Sequence, residues 1–376
     1  MDTNKTQDGA MPQDADSKNA EAADVSGGHG QQDGVLYVGI DLGTSRSAIA
    51  ASNGVREFFP SVVGYPKDVV AQKLLKKDKL FGDEAFEKRL SLNFYRPLEK
   101  GIIKHSDNGT SDPEGAAANL QAASDIIQEA IRRARPRSDE LVYAVIGCPA
   151  QSSIQNKKAI IDAARPMVDS VMICSEPFAV AYGMDRLDDM LVIDIGAGTV
   201  DLCRMHGTLP DDEDQLTLET AGDYVDNLLF EALKERCTGA QFTLNMVKNI
   251  KEQHGFIGER TDPVIVDLPV AGKPTPFDVT DPIRESCRAM VPPIVDALGQ
   301  LVASFDPEFQ SRLKGNVLLG GGGSMVRGLA KAVQAEMHER LGEGTVLAVE
   351  EPVYAGSNGA LKIAHDMPAE FWEQLK

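Results

Sequence analysis

The stretch Met190–Leu202, MLVIDIGAGTVDL, puts a single carboxylate where a buried strand should end, and follows it with a glycine-rich turn and a second apolar run. The stretch Leu36–Ala50, LYVGIDLGTSRSAIA, has the same form, and its Asp41 precedes Asp194 by 153 residues. Apolar runs joined by a short glycine-containing turn predict a β-hairpin. One such turn alone would be an ordinary hairpin with a polar tip. Two copies with an aspartate in register indicate a duplicated functional element.

Length and composition restrict the class of protein. A chain of 376 residues is longer than one hydrophobic core usually spans, which predicts two domains or one bilobed unit. No apolar run approaches the roughly 18–20 residues that cross a bilayer, and we see no signal peptide. The net charge of −19 disfavours nucleic acid and anionic lipid as partners. Five scattered cysteines without a C-x-x-C pattern suit a reducing compartment, so we expect a cytoplasmic protein without membrane insertion.

Residues 1–33 form an acidic tail with seven acidic residues, two lysines and no aromatic residue. Such a segment cannot bury enough apolar surface to offset the entropy lost on ordering. We therefore expect residues 1–33 to be disordered and to carry no chemistry of their own.

After residue 33, strand patterns alternate with helix patterns, which predicts α/β layers. The helix predicted over Ala117–Pro136 places Leu120, Ile126, Ile127 and Ile131 on one face. The strand–turn–strand module appears twice, each time followed by an insertion and helices. This repetition predicts two related lobes that face each other.

The two glycine turns fit a phosphate-binding role. Glycine permits backbone angles that other residues avoid, and a tight turn aims several N–H groups into one anion-binding concavity. Thr44, Ser45 and Thr199 add hydroxyl donors. Asp41 and Asp194 would weaken an anion site unless Mg²⁺ lies between carboxylates and phosphates, held mainly through water. The aspartates therefore predict a metal ion and a polyphosphate that bind together.

A third glycine-rich turn, LGGGGSM at Leu319–Met325, follows a predicted strand and opens a helix. It suits the close approach of a ribose or a base, although a plain strand–helix turn explains it equally well when taken alone. It is neither a P-loop, because no G-K-[ST] follows, nor a dinucleotide fingerprint in the right context.

These motifs resemble those of the actin/Hsp70/sugar-kinase superfamily. GIDLGTS resembles its first phosphate motif, VIDIGAGTVDL its second and LLGGGGSMVRGL its adenosine motif, while VIGCPA and EPVYAGSNGALKIA resemble its connecting elements. The resemblance runs from about Leu36 to the C-terminus. Within the superfamily the chain is most similar to bacterial actin-like proteins of the magnetosome type, on segments such as SVVGYPKDVV, AGDYVD and EFWEQL.

The resemblance implies an actin-like ATPase fold, with two similar α/β lobes built on ribonuclease-H-like sheets around a nucleotide cleft. It places lobe I at residues 34–188, with an insertion at about 60–112 and a return of the chain at 345–376. It places lobe II at residues 189–344, with an insertion at about 221–288.

The resemblance also implies the site residues for ATP or ADP and Mg²⁺. Glu176 would orient the attacking water, although a carboxylate at a helix N-terminus is often only a favourable dipole contact. Asp194 and Thr199 would join Glu176 as catalytic residues, and Asp41 and Asp194 would hold the metal. The nucleotide-binding residues would be Asp41, Gly43, Thr44, Ser45, Gly196, Ala197, Gly198, Gly222, Lys251, Gly321, Gly322, Ser324 and Met325. For Lys251, a lysine on a solvated helix face is the simpler interpretation.

The resulting functional hypothesis is an ATP-gated cytoplasmic filament of identical subunits that positions magnetosomes, with magnetosome-associated proteins as further partners. A small-molecule kinase or ATPase of the same superfamily is the alternative, since fold alone does not settle function. A chaperone of the Hsp70 type is not expected, because only some 50 residues follow GGGGSM. The candidate filament contacts are the two insertions together with Phe371 and Trp372, which a terminal helix docked on its own lobe would explain equally well. The sequence leaves the choice between ATP and GTP open.

Overall fold

The computed structural model describes residues 34–104 and 113–375, so the predicted acidic tail and residues 105–112 of the first insertion lie outside the described residues. All five cysteines are free thiols. No helix within the described ranges is long and apolar enough to cross a lipid bilayer.

The strands follow the predicted apolar runs. They are β1 (Val35–Leu42), β2 (Arg46–Ala51), β3 (Arg56–Pro60), β4 (Val63–Pro66), β5 (Leu80–Phe81), β6 (Leu92–Tyr95), β7 (Leu98–Glu99), β8 (Ile102–Ile103), β9 (Leu141–Cys148), β10 (Ser170–Ser175), β11 (Met190–Ile195), β12 (Val200–Met205), β13 (Gln215–Leu218), β14 (Ile265–Val270), β15 (Lys273–Asp278), β16 (Val317–Gly320) and β17 (Val346–Ala348).

The helices separate these strands. They are α1 (Val69–Leu75), α2 (Gly82–Glu87), α3 (Pro113–Arg133), α4 (Ile154–Ala164), α5 (Glu176–Gly183), α6 (Gly222–Arg236), α7 (Leu244–His254), α8 (Thr280–Arg288), α9 (Val291–Ala303), α10 (Gln310–Lys314), α11 (Leu329–Leu341), α12 (Ala355–Asp366) and α13 (Ala369–Gln374).

Two five-stranded sheets have the same topology. The first sheet has the order β10-β9-β1-β2-β3 and the second sheet the order β13-β12-β11-β16-β17. In each, three consecutive strands form an antiparallel meander, and two later strands add parallel to the first of the three. Because β1 and β11 occupy the same central position, the two aspartate-bearing hairpins are equivalent elements of two equivalent sheets.

Each sheet is interrupted along the chain by an insertion that forms a smaller unit. Within 60–104 it makes the three-stranded sheet β5-β4-β6 and the pair β7-β8, and within 221–288 it makes α6, α7, the hairpin β14-β15 and α8. The chain was predicted to return to the first lobe at residues 345–376. β17 lies in that range but still extends the second sheet, so only α12 and α13 are left to form the return. The domain boundaries themselves stay a prediction.

Helices α5 and α12 lie between the two sheets and pack closely on each other. Val180 of α5 belongs to a core cluster with Val192 of β11, whereas its neighbour Ala179 belongs to a cluster with Val145 of β9. A Cβ on Gly359 of α12 would lie 1.8 Å from the carbonyl oxygen of Ala179, so only glycine allows this approach. The paired helices therefore connect the two sheets beneath the hairpins.

The predicted helix over 117–136 is present as α3, but one residue of its predicted apolar face is not buried. Ile126, Ile127 and Ile131 are fully buried, whereas Leu120 is exposed. Leu120 lies in the second turn of a helix that begins earlier than predicted, at Pro113, and the buried residues of this helix begin only at Ala122. Periodicity identified the face, but not the length over which that face is covered.

Trp372 and its neighbour Phe371 differ in exposure. The Trp372 ring is fully buried, stacks on Tyr143 of β9 at a centroid distance of 4.9 Å, and donates from Nε1 to the Ala364 carbonyl. Phe371 is exposed. Docking of a terminal helix on its own lobe therefore explains Trp372, and only Phe371 stays available for contacts with another molecule.

Candidate nucleotide site

The two hairpin turns meet at one place. A Cβ on Gly198 of the second turn would lie 2.5 Å from Oγ1 of Thr44 in the first turn, so the absence of a side chain allows the contact. Thr44 Oγ1 also accepts a hydrogen bond from the amide of Gly101 at 2.8 Å. The duplicated elements of the sequence therefore face each other, as predicted.

A cavity of about 370 Å³ lies between these turns. Of the predicted site residues, all except Ser324 line it: Asp41, Gly43, Thr44, Ser45, Glu176, Asp194, Gly196, Ala197, Gly198, Thr199, Gly222, Lys251, Gly321, Gly322 and Met325. Ser324 instead turns its hydroxyl to the Gly321 carbonyl at 2.7 Å. The structure brings the predicted residues together, and their individual roles stay predictions.

A glycine from a later part of the chain packs against each aspartate side chain. A Cβ on Gly321 would lie 2.2 Å from Oδ1 of Asp194, and Gly321 has a positive φ of 74° that favours glycine. A Cβ on Gly356, in the first turn of α12, would lie 2.9 Å from Oδ2 of Asp41. A side chain at either position would therefore crowd the carboxylate, and the crowding is more severe at Gly321.

Glu176 begins α5 at the end of β10 and is buried. Its Cγ would be 3.4 Å from a Cβ on Gly147, which is the strand partner of Asp41. Burial raises the Glu176 pKa well above its ordinary value, and the charges of Asp41, Asp201 and Asp194 raise it further. A buried carboxylate with a perturbed pKa in a cleft is typical of a functional site, and a dipole contact alone would lower the pKa.

A fourth carboxylate, Asp201, was missed by the sequence analysis. Asp201 is the direct cross-strand partner of Asp194, so both side chains lie on the same face of the hairpin. Its Oδ1 accepts from the Ala150 amide at 2.9 Å and from the Thr217 hydroxyl at 2.6 Å, while its buried Oδ2 has no hydrogen-bond partner within the described structure. A four-residue turn at 196–199 pairs residues 194 and 201, so the hairpin register could have identified Asp201.

The other carboxylates of the site also have raised pKa values. Burial raises the Asp194 pKa well above its usual range, and the charges of Asp41 and then Asp201 add to the shift. Burial and the charge of Asp201 raise the Asp41 pKa to about 6. The site therefore carries more negative charge than the protein around it neutralises, and a bound cation would relieve the repulsion.

Lys251 is not on a solvated helix face, so that simpler interpretation is wrong. Its ammonium donates to the Gly222 carbonyl at 2.7 Å and pairs with Asp226 at 2.8 Å, and its side chain is largely buried. Gly222 is fixed from the other side, since its amide donates to the Gly196 carbonyl at 3.2 Å. Lys251 and Gly222 thereby brace α6 and α7 against the second hairpin turn.

Two further cavity residues on α7 were missed. The Lys248 ammonium contacts Oγ of Ser45 in the first turn, and Glu252 pairs with Arg46 of β2 at 2.7 Å. Burial lowers the Lys248 pKa. Their spacing of four residues puts them on one helix face, but nothing in the sequence indicated that this face meets the first hairpin across the cavity.

Comparison with known proteins extends the likeness beyond the motifs. The profile of the MreB/Mbl protein family matches residues 36–369. The chain is 39% identical to the actin-like protein MamK of Paramagnetospirillum magneticum, over 93% of this chain and 98% of that protein. A solved MamK double helical filament matches with a TM-score of 0.83 and 38% identity, over 89% of this chain and 100% of that chain. A non-polymerising MamK mutant bound to AMPPNP matches with a TM-score of 0.67 and 38% identity, over 89% and 99%.

Proposed function

This chain belongs to the MreB/Mbl family of actin-like proteins and has the actin-like fold, and from that premise we propose that it is an ATPase that assembles into filaments of identical subunits. One observation carries the proposal: two equivalent hairpins close on one cavity whose wall bears Asp41, Asp194 and Glu176, and the buried Asp201 lies beside Asp194 on the same face of its hairpin. The solved filament of a similar protein supports self-assembly. The AMPPNP-bound relative supports an adenine nucleotide as the ligand.

The donor set of the cavity fits Mg²⁺, which prefers oxygen ligands and keeps several of its waters. The partnerless Oδ2 of Asp201 and the mutual repulsion of the carboxylates are what a cation would satisfy. Within the described residues, no three His, Cys, Asp or Glu side chains are placed to hold a metal by themselves. Asp41 and Asp194 would therefore hold Mg²⁺ together with water and phosphate oxygens. When bound, Mg²⁺ neutralises charge on the phosphates.

The remaining residues would bind the phosphates and position the water. The Gly196 amide already donates to the Thr199 carbonyl at 2.9 Å, so the amides of Ala197, Gly198 and Thr199 are the ones that could donate to a phosphate. The hydroxyls of Thr44 and Ser45 face them from the first turn. Glu176 lies against Gly147, the strand partner of Asp41, and would orient the attacking water and accept its proton, once a cation restores its ionised form.

The cellular role follows from the resemblance to magnetosome actins. We propose that the filaments lie in the cytoplasm and position magnetosomes through magnetosome-associated proteins. The net charge of −19 agrees with a protein that avoids nucleic acid.

Sedimentation of the purified protein tests the proposal. With Mg-ATP we expect a pelleted fraction above a critical concentration and release of phosphate, and with EDTA in place of Mg²⁺ we expect neither. A protein that stays monomeric in Mg-ATP at every concentration would contradict filament formation. Phosphate that appears on an added hydroxyl compound, and not in solution, would favour the small-molecule kinase.

A further inference from the structure

Two exposed surfaces of opposite charge lie outside the nucleotide site. The basic patch lies on α1 and its C-cap, and it consists of Val69, Val70, Lys73, Leu74 and Lys76. Its apolar side chains are 78%, 72% and 69% exposed for Val69, Val70 and Leu74. Large aliphatic side chains that are grouped and this exposed are typical of a contact surface.

The helix that carries the basic patch is capped, and the side chains of the patch lie outside the hydrophobic core. The side chain of Asp68 caps α1 by accepting from the amides of Val70 and Ala71, and Ala71 provides the buried face. Lys73 and Lys76 form no ion pair in the described part of the chain, whereas the nearby Lys77 and Lys79 are paired with Glu84 and Asp125. Two unpaired lysines beside three exposed aliphatic residues need an acidic and apolar partner.

The acidic knob is the loop after β12 and consists of Leu209, Asp211, Asp212 and Glu213. Leu209 is 76% exposed, and the three acidic residues are exposed without an ion pair to any described residue. In composition the acidic knob is the counterpart of the basic patch, with an exposed aliphatic residue next to unpaired charges of the opposite sign.

A buried ion pair fixes the acidic knob from below. Asp214 accepts from Nε and Nη2 of Arg204 at 2.9 and 2.6 Å, and both side chains are buried. The Asp211 amide donates to Asp214 and the Asp211 carboxylate accepts from the Glu213 amide, which closes the turn. A loop held in this way keeps Leu209 outward at little entropic cost on binding.

We propose that the basic patch of one subunit binds the acidic knob of the next copy of this chain, which rests on the filament formation proposed above. The two surfaces cannot cover each other within one subunit, because the apolar residues of both are exposed. A contact between unlike surfaces leaves one of each free at the ends, so it generates an open polymer and not a closed dimer. The partner is a second copy because the chain itself carries both the surface and its complement.

Charge reversal tests the pairing. K73E/K76E and D212K/E213K should each raise the critical concentration for assembly in Mg-ATP about tenfold or more, because like charges then face each other. The mixture of these two variants should co-assemble in alternation, since the reversed patch meets the reversed knob and the native patch meets the native knob. Co-assembly of two proteins that each fail alone is a result that loss of folding cannot produce.

The controls separate this contact from general effects of charge. K158E/R165E reverses two exposed charges on and after α4 and should leave the critical concentration within about twofold. Leu74→Ser should raise the critical concentration without lowering the melting temperature, because Leu74 is exposed in the monomer. Circular dichroism and thermal melting verify the fold of each variant.

The outcomes are distinct. A native protein that never assembles contradicts the proposed function and, with it, this contact. A native protein that assembles, with reversals that have no effect or a mixture that does not co-assemble, overturns the contact alone. Binding of the native protein to phosphatidylglycerol vesicles that K73E/K76E abolishes, without co-assembly of the mixture, would assign the basic patch to lipid and also overturn the proposal.

Discussion

The hairpins β1–β2 and β11–β12 occupy the same place in two sheets of the same topology, but they differ in charge. Asp41 faces Ala48 across its hairpin, whereas Asp194 faces Asp201. The first turn has the hydroxyls of Thr44 and Ser45, and the second turn has only small residues and the single hydroxyl of Thr199. The first hairpin thus offers two hydroxyl donors, and the second offers backbone amides, one hydroxyl and a pair of carboxylates of which Asp194 lines the cavity.

The two hairpins therefore share a sequence motif but need not share a role. In the described structure the Thr44 hydroxyl already contacts Gly101 and Ser45 contacts Lys248, so the first hairpin is tied to its surroundings. The second hairpin bears a buried carboxylate oxygen without a partner at Asp201. We infer that the second hairpin is the more dependent of the two on a bound cation.

The largest expected effect concerns Glu176, which both hairpins influence through the charges of Asp41, Asp201 and Asp194. Glu176→Ala should slow phosphate release by about 10²–10⁴-fold, the usual range for a positioned acid–base group, with nucleotide affinity little changed. A phosphate-release assay together with calorimetric titration of AMPPNP measures both quantities. An unchanged rate would remove Glu176 from the mechanism and leave the hairpins as a binding site only.

The second prediction compares the hairpins directly. Asp194→Asn should weaken Mg²⁺-dependent ATP binding by about 10–100-fold, as loss of an indirect metal contact commonly does, and Asp41→Asn should weaken it less. Asp201→Asn should reduce the Mg²⁺ dependence as well, since its Oδ2 is the partnerless oxygen. Titrations with and without Mg²⁺ measure these effects. Equal losses of affinity for the Asp41 and Asp194 variants would show that the two hairpins depend equally on the cation, which contradicts the inference.

The third prediction concerns the glycines behind the aspartates. Gly321→Ala should destabilise the protein by about 2–4 kcal/mol, because φ is positive there and a Cβ would overlap Asp194 and the Ile195 backbone. Gly356→Ala should cost less, about 1–2 kcal/mol, since its φ is not positive and its Cβ would meet the Asp41 side chain but no backbone atom. Urea unfolding of both variants checks the order. A larger loss for Gly356→Ala would show that Asp41 is the more tightly held carboxylate.

The smallest effect is on pH dependence. The Asp41 pKa is about 6 in the folded protein against 3.8 as its ordinary value, so the folded state binds the proton more tightly. The stability that this proton contributes is fully present below pH 3.8 and is lost as the pH rises through about 6. Asp41→Asn should therefore raise the melting temperature of the nucleotide-free protein at pH 8 by about 2–5 °C, with little change at pH 4. An equal rise at both pH values would contradict the assignment.

Much of the site was predictable from local patterns. Apolar runs with glycine turns defined both hairpins, and the repeated aspartate identified them as a pair that the structure brings together. Asp201 was not predicted, although it lies within Met190–Leu202. Identifying it requires the hairpin register, in which Asp194 and Asp201 form the second cross-strand pair from the turn. Leu120 shares its predicted face with three buried isoleucines but is exposed, because periodicity does not tell how far along a helix that face is covered.

What the sequence alone determined is the local chemistry, namely where strands end, where glycine replaces a side chain and which carboxylates stand in register. These features depend on neighbours along the chain, within reach of one turn. The tertiary structure decided which surfaces meet: that Lys248 and Glu252 of α7 reach the first hairpin, that Lys251 is buried, and that Trp372 is covered while Phe371 is not. The physical reason is that such contacts join residues far apart in the chain, and only the packing of the two sheets on α5 and α12 sets the distance between them.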